Sequence, residues 1–205
     1  MSKSATDTVK PFSDELEDWL KSQKPKTLLS LDRVFAEKSF AIIFILLLAP
    51  SALPVPTGGV TTVFEAVAII IASQMLIGRH SLWLPKRWRQ LRVGKFMQQR
   101  IMPKLISLIR WFERYSRPRG AYLLQSAIGR RFFGMVAIII SGAALVSVPF
   151  SGLDTLPSLG VVIISLGVIL EDILLFLLGL IVGFVGIALI IVLGTAAFNI
   201  LGGLL

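Results

Sequence analysis

Residues 40–80 and 133–173 align without a gap at an offset of 93, and each copy is an apolar run, a break and a second apolar run. The breaks read Val55-Pro56-Thr57-Gly58-Gly59-Val60-Thr61-Thr62 and Val148-Pro149-Phe150-Ser151-Gly152-Leu153-Asp154-Thr155. Proline removes a backbone donor and clashes with the preceding turn, so neither unit can be one regular helix. In the first unit, residues 40–53 would make about 21 Å of helix and residues 60–77 about 27 Å. The hydrocarbon core of a bilayer is about 30 Å thick. Each unit is therefore expected to fold as a broken hairpin that returns to the side it entered. Duplicated broken hairpins are a plan of membrane transporters, whose sites lie where the breaks meet.

Composition agrees with a membrane protein: 55% of the 205 residues are hydrophobic and the mean hydropathy is +0.80. The net charge of +9 is unevenly placed. Residues 1–38 hold seven Lys/Arg and seven Asp/Glu, whereas residues 79–131 hold fourteen Lys/Arg against Glu113 alone. Beyond Arg131 there is no basic residue. Basic loops stay cytoplasmic, so this distribution places the N-terminus and the 79–131 connector inside. Nucleic acid, the other partner that a basic chain suggests, is not expected, because apolar segments flank the basic block on both sides. With no cysteine, disulfides and thiolate metal sites are ruled out. No cleavable signal layout precedes the first apolar run, which should act as the insertion signal.

These features predict an all-α polytopic membrane protein with five sections. Residues 1–38 form a cytoplasmic amphipathic segment, with a short helix capped by Ser13 or Asp14 and a second starting at Thr27. Residues 39–78 and 132–172 are the two hairpin repeats, possibly re-entrant in the sense of stopping within the bilayer. Residues 79–131 are a basic connector, and residues 173–205 a C-terminal transmembrane helix that Gly194 or Asn199 could end. Both repeats start and end beside basic regions, so they should be parallel and leave the C-terminus periplasmic. In the connector, Ile101, Leu105, Leu108, Phe112 and Tyr115 make one apolar stripe, with Arg100, Lys104, Arg110 and Arg114 around it. Such a helix can lie in the interface against anionic lipid headgroups or pack on the protein's own cytoplasmic face. Trp83, Trp88 and Trp111 fit an interfacial belt.

Few residues in the apolar segments can carry chemistry. Glu65 lies five residues into the second arm of the first unit, and an ionisable group at membrane depth is read as functional, for proton binding or ion coupling. It could equally sit at the outer end of a full-length hairpin and meet water. Ser158 occupies the matching place in the second unit. Asp154 and Thr155 precede Leu156-Pro157, with Thr61 and Thr62 in the equivalent place. They can cap their helices. Alternatively, with Pro56, Gly58, Gly59, Pro149 and Gly152, they can bring two helix N-termini together around an anion. Gln74 should bond another helix, and Glu171 and Asp172 should lie at the interface or guard a vestibule. His80 is the only histidine, no catalytic constellation is present, and neither enzyme activity nor a metal or other cofactor is expected.

The stretch Leu29-Ser30-Leu31-Asp32-Arg33-Val34-Phe35-Ala36-Glu37-Lys38-Ser39-Phe40 resembles the lead-in of the ExoD exopolysaccharide-synthesis family of bacterial inner-membrane proteins. So do Ala72-Ser73-Gln74-Met75-Leu76-Ile77-Gly78-Arg79 and Trp83-Leu84-Pro85, and in the second unit Pro149-Phe150, Leu156-Pro157, Leu166-Gly167 and Asp172. The resemblance covers roughly residues 27–195. It implies a contribution to exopolysaccharide production and to tolerance of alkaline conditions, with no catalytic residues to carry over. The expected function is transport of a small ion or anionic substrate through a site between the breaks, by a protein that dimerises because one copy has few helices to enclose a pathway. The alternative is a non-transporting accessory or scaffold protein of the polysaccharide machinery.

Overall fold

The computed structural model describes residues 10–23, 25–27, 30, 34–35, 38–53, 60–79, 83, 98–99, 102–147 and 151–202. Pro56, Gly58, Gly59, Arg100, Pro149, Trp88 and His80 lie outside the described residues. The regular elements among those described are eight helices. They are α1 (Phe12–Lys21), α2 (Ser39–Leu48), α3 (Val60–Leu76), α4 (Met102–Glu113), α5 (Ala121–Gln125), α6 (Ala127–Val146), α7 (Thr155–Leu170) and α8 (Ile173–Gly202).

Two of the helices, over Ala127–Val146 and Ile173–Ala196, are long and apolar enough to cross a membrane. The second carries an exposed band of Leu174, Leu177, Leu178, Ile181, Phe184 and Val185. Against water, so large a contiguous apolar surface would be costly; against lipid tails it costs nothing. Of the shorter apolar helices, α2 and α7 pack in the interior, with α2 almost wholly buried, while α3 buries one face and exposes Val63 and Ile70 on the other. Packing is crosswise. Besides its contact with α2, α3 lies along α6, while α2 lies against α7, and α7 is paired along its length with α8.

Small residues allow these approaches. A side chain on Gly160 would collide with the backbone of Gly183, and one on Gly179 would stand 2.5 Å from Ile164 N. One on Gly186 would stand 2.5 Å from Pro157 Cδ. The glycine spacing of α8 is thus a seam on which α7 rests backbone to backbone, the arrangement small residues permit. Between α3 and α6, a side chain on Gly134 would stand 2.9 Å from Ala72 O. Gly78 lies against the Arg131 guanidinium in the same interface, so α3 and α6 run antiparallel.

Several boundaries differ from those expected. The first arm ends at Leu48 and passes into turns at Ala49–Ala52, because Pro50 cannot continue the helix. The second unit begins earlier, at Ala127, where the Ser126 hydroxyl accepts from Gly129 N at 2.9 Å and caps α6. The helix α8 continues to Gly202, while its membrane-length apolar stretch runs Ile173–Ala196, ending between Gly194 and Asn199. At the amino end, α1 starts at Phe12 after Pro11 with no side-chain cap. Neither Ser13 nor Asp14 caps it. Both instead face α4: Glu113 accepts from Ser13 N at 2.9 Å, and Arg110 donates to Asp14 at 3.0 Å. Thr27 and Ser30 bond each other reciprocally, Thr27 N to Ser30 Oγ at 3.0 Å and Ser30 N to Thr27 Oγ1 at 3.1 Å.

Candidate functional site

On α3 the buried residues Thr61, Glu65, Ala68, Ala72 and Met75 follow alternating steps of four and three and form one inward stripe, widened by Ile71 and Gln74. Glu65 therefore points into the bundle, not toward its rim. It is 2% exposed, and its Oε1 has no hydrogen-bond partner. Burying a polar group without a partner costs about 1–3 kcal/mol, and more when it is charged. Proteins retain such groups where function needs them.

Three hydroxyls share this condition. Ser51, Ser141 and Ser158 are 2%, 1% and 1% exposed, and each Oγ lacks a partner. They come from the turn after α2, from α6 and from α7. Ser51 lies beside the Glu65 carboxyl, and the Asp154 carboxylate acts on Glu65 through space. Asp154 and Ser158 are one turn apart on α7, so they share a face. Gly134 of α6 touches α3 at Ala72–Leu76. About two turns further along α6, Ser141 therefore faces α3 at the height of Glu65 and Ala68. Gly183 of α8 contacts both Gly160 and Ile140, which fixes α6 and α7 at the same height.

Of the expected site residues, Glu65, Thr61 and Asp154 belong to this level. Asp154 makes no side-chain capping bond, so its carboxylate is not engaged by the start of α7. Gly152 takes a φ of 71° in the turn before α7, and Thr155 N donates to its carbonyl at 3.2 Å. Thr62 and Thr155 are half-buried. Ser51 and Ser141 did not stand out in the sequence, since a lone serine in an apolar run usually bonds its own helix backbone, as Ser165 does with Val161 O at 2.7 Å.

The remaining candidates lie at the other end of the bundle. Gln74 Oε1 accepts from Trp83 N at 2.7 Å and ties the chain beyond α3 back to that helix. Glu171 takes φ 57° at the end of α7, where Asp172 N donates to Gly167 O at 2.9 Å and Glu171 N to Val168 O at 3.4 Å, a Schellman closure. Its carboxylate pairs with Lys38 at 2.9 Å and accepts from Gln125 Nε2 at 2.8 Å. Asp172 accepts from Ser116 Oγ at 2.9 Å, Arg117 N at 3.1 Å and Leu174 N at 3.0 Å. Burial pushes its pKa up, but the Ser116 hydroxyl and the backbone N–H groups outweigh it and hold the carboxyl below the usual range. A depressed pKa stabilises the fold above the unfolded value, and that contribution disappears as pH falls through the folded one. Asp172→Ala should cost about 2 kcal/mol, read as a lower Tm in detergent, and the deficit should shrink toward low pH.

Lys104 is exposed on α4, and Arg114 is exposed in the turn just beyond it. Arg110 instead bonds Asp14 at 3.0 Å and Glu17 at 2.5 Å, joining α4 to α1. Lys21 and then Arg110 hold the Glu17 carboxyl at about 2. These pairs should therefore persist until pH falls toward that value, and Arg110→Ala should loosen α1 with little change in overall stability, as exposed pairs contribute little. Hydrogen exchange over residues 12–21 would read that loosening.

The architecture is that of a helical protein with membrane-length helices and a buried polar level between them. The family model for exopolysaccharide synthesis, ExoD, matches residues 12–192, and the chain belongs to that family. It is 30% identical to the protein ExoD of Rhizobium meliloti (strain 1021) over 171 residues, 81% of this chain and 70% of that one. An uncharacterized protein of Synechocystis sp. is likewise 30% identical over 164 residues, 78% of this chain and 76% of the other. No solved structure matches the chain.

Proposed function

We propose that this chain is a multi-pass inner-membrane protein that supports exopolysaccharide synthesis by moving a small cation across the bilayer at the level of Glu65. One observation carries the reading: inside an apolar bundle the Glu65 carboxyl is buried with an unpartnered oxygen, as are the Ser51, Ser141 and Ser158 hydroxyls. Structural polar groups in such surroundings are bonded. Groups that exchange a ligand are left open. Two carboxylates within electrostatic range, Glu65 and Asp154, repel an anion and favour a cation.

The basic residues put α1, α4 and the connector on the cytoplasmic side. The two broken hairpins then hang from that side, α8 crosses outward, and a homodimer supplies the helices that enclose the path. In a bacterium lacking its own family member, this chain should restore exopolysaccharide output, and Glu65→Gln, produced in equal amount, should not. Full restoration by Glu65→Gln would favour the accessory or scaffold role instead.

A further inference from the structure

We propose that α4 docks on the anionic surface of the bilayer through a stripe of Lys104, Leu108, Trp111 and Tyr115, a contact separate from the Glu65 level. The helix has two faces. Met102, Leu105, Ile106 and Ile109 are buried on one, and α1 packs along α4. Lys104, Leu108, Trp111 and Tyr115 follow at steps of four, three and four on the opposite face. Trp111 is 54% exposed and Tyr115 73%, and their ring centroids lie 5.2 Å apart. Indole and phenol rings combine an apolar body with a polar tip, which suits the boundary between lipid and water.

Two further observations name the occupant. The first is position. Just beyond α4, Ser116 Oγ donates to Asp172 at 2.9 Å and Gly120 N donates to Glu171 O at 3.0 Å. A side chain on Gly120 would stand 3.0 Å from Cβ of Ile173, the first residue of the membrane-length α8. The end of α4 is thus tied to the height at which an apolar span begins, and for a membrane-spanning helix that height is the membrane surface. Tyr122, Leu123 and Ile128 are also exposed, on the chain that leads into the other long span. The second observation is charge. Asp14 and Glu17 of α1 engage Arg110, and Glu113 is turned to Ser13. Lys104 and Arg114 instead flank the stripe exposed, and Arg117 and Arg119 follow them exposed. Exposed cations around exposed aromatic rings match the phosphates of anionic lipid headgroups.

The test reconstitutes the full chain in bilayers of phosphatidylcholine alone or in equal parts with phosphatidylglycerol. Each is prepared with ordinary lipid or with lipid brominated on the acyl chain near the headgroup. The emission of Trp111 is the difference between the unaltered protein and Trp111→Phe. It should be largely quenched in the brominated anionic bilayers and clearly less in the neutral ones. Lys104→Glu combined with Arg114→Glu should bring the anionic result down to the neutral one and leave the α1 contact intact, as read by hydrogen exchange over residues 12–21. Lys104→Gln with Arg114→Gln, which removes charge without reversing it, should lower the quenching partway. Trp111 emission that is equal in brominated and ordinary lipid overturns the docking, whether water or another protein covers the stripe. Quenching that is the same in neutral and anionic bilayers, or that survives both double substitutions unchanged, overturns the anionic surface as the occupant.

Discussion

Glu65→Gln should reduce cation flux into proteoliposomes by roughly a hundredfold, while the protein still folds and inserts. The physical reason is the setting of the carboxyl. It is 2% exposed, among apolar neighbours, and its Oε1 is not committed to any protein donor. Glutamine keeps the shape and hydrogen-bonding capacity but removes the charge. An ion entering that site then loses its counter-charge in a low-dielectric interior, a loss of about 3 kcal/mol or more, and each 1.4 kcal/mol is about tenfold. The folded state should not suffer, since removing an unpaired buried charge relieves desolvation. Glu65→Asp keeps the charge and retracts it by one methylene, so partial flux is expected. Flux measured with a cation gradient, together with Tm in detergent, separates the two effects.

The second large effect is structural. Gly160→Leu should prevent α7 from seating on α8 and cost about 3 kcal/mol or more, because backbone rather than a yielding side chain occupies the space. Size-exclusion chromatography should show loss of the monodisperse species. Gly142→Ala provides the control. A Cβ there meets nothing within 4 Å, so the variant should be neutral or slightly stabilising. If Gly160→Leu left Tm unchanged, α7 and α8 would not be packed as described.

Much of this was legible in the chain. Polarity and proline placement foretold helices broken near residues 50–59 and 148–154, and the start of α3 and the end of α7 fall where the apolar runs place them. The glycines of α8 signalled a close interface, although the partner glycine, Gly160, gave no periodic cue. Helix ends set by capping were less visible: Ser126 starts α6 within what reads as basic connector. The site was half legible. Glu65 stands out in any apolar run, but whether it faces lipid, water or core depends on which stripe of α3 is buried, and packing decides that. Ser51 and Ser141 are ordinary in sequence and become notable only because tertiary structure leaves them without partners. The anchoring of Glu171 and Asp172 to Lys38, Gln125 and Ser116 is long-range and has no local signature.

The central claim is that the buried level holding Glu65 exchanges a cation with the aqueous phase during transport. The chain contains no cysteine, so a single Ser158→Cys substitution provides a clean reporter. A thiol reacts as the thiolate, which forms only where water reaches it. In intact, oriented vesicles, Ser158→Cys should react with a small, membrane-impermeant thiol reagent from at least one side. A cysteine that stays inert from both sides until the protein is denatured would contradict the account.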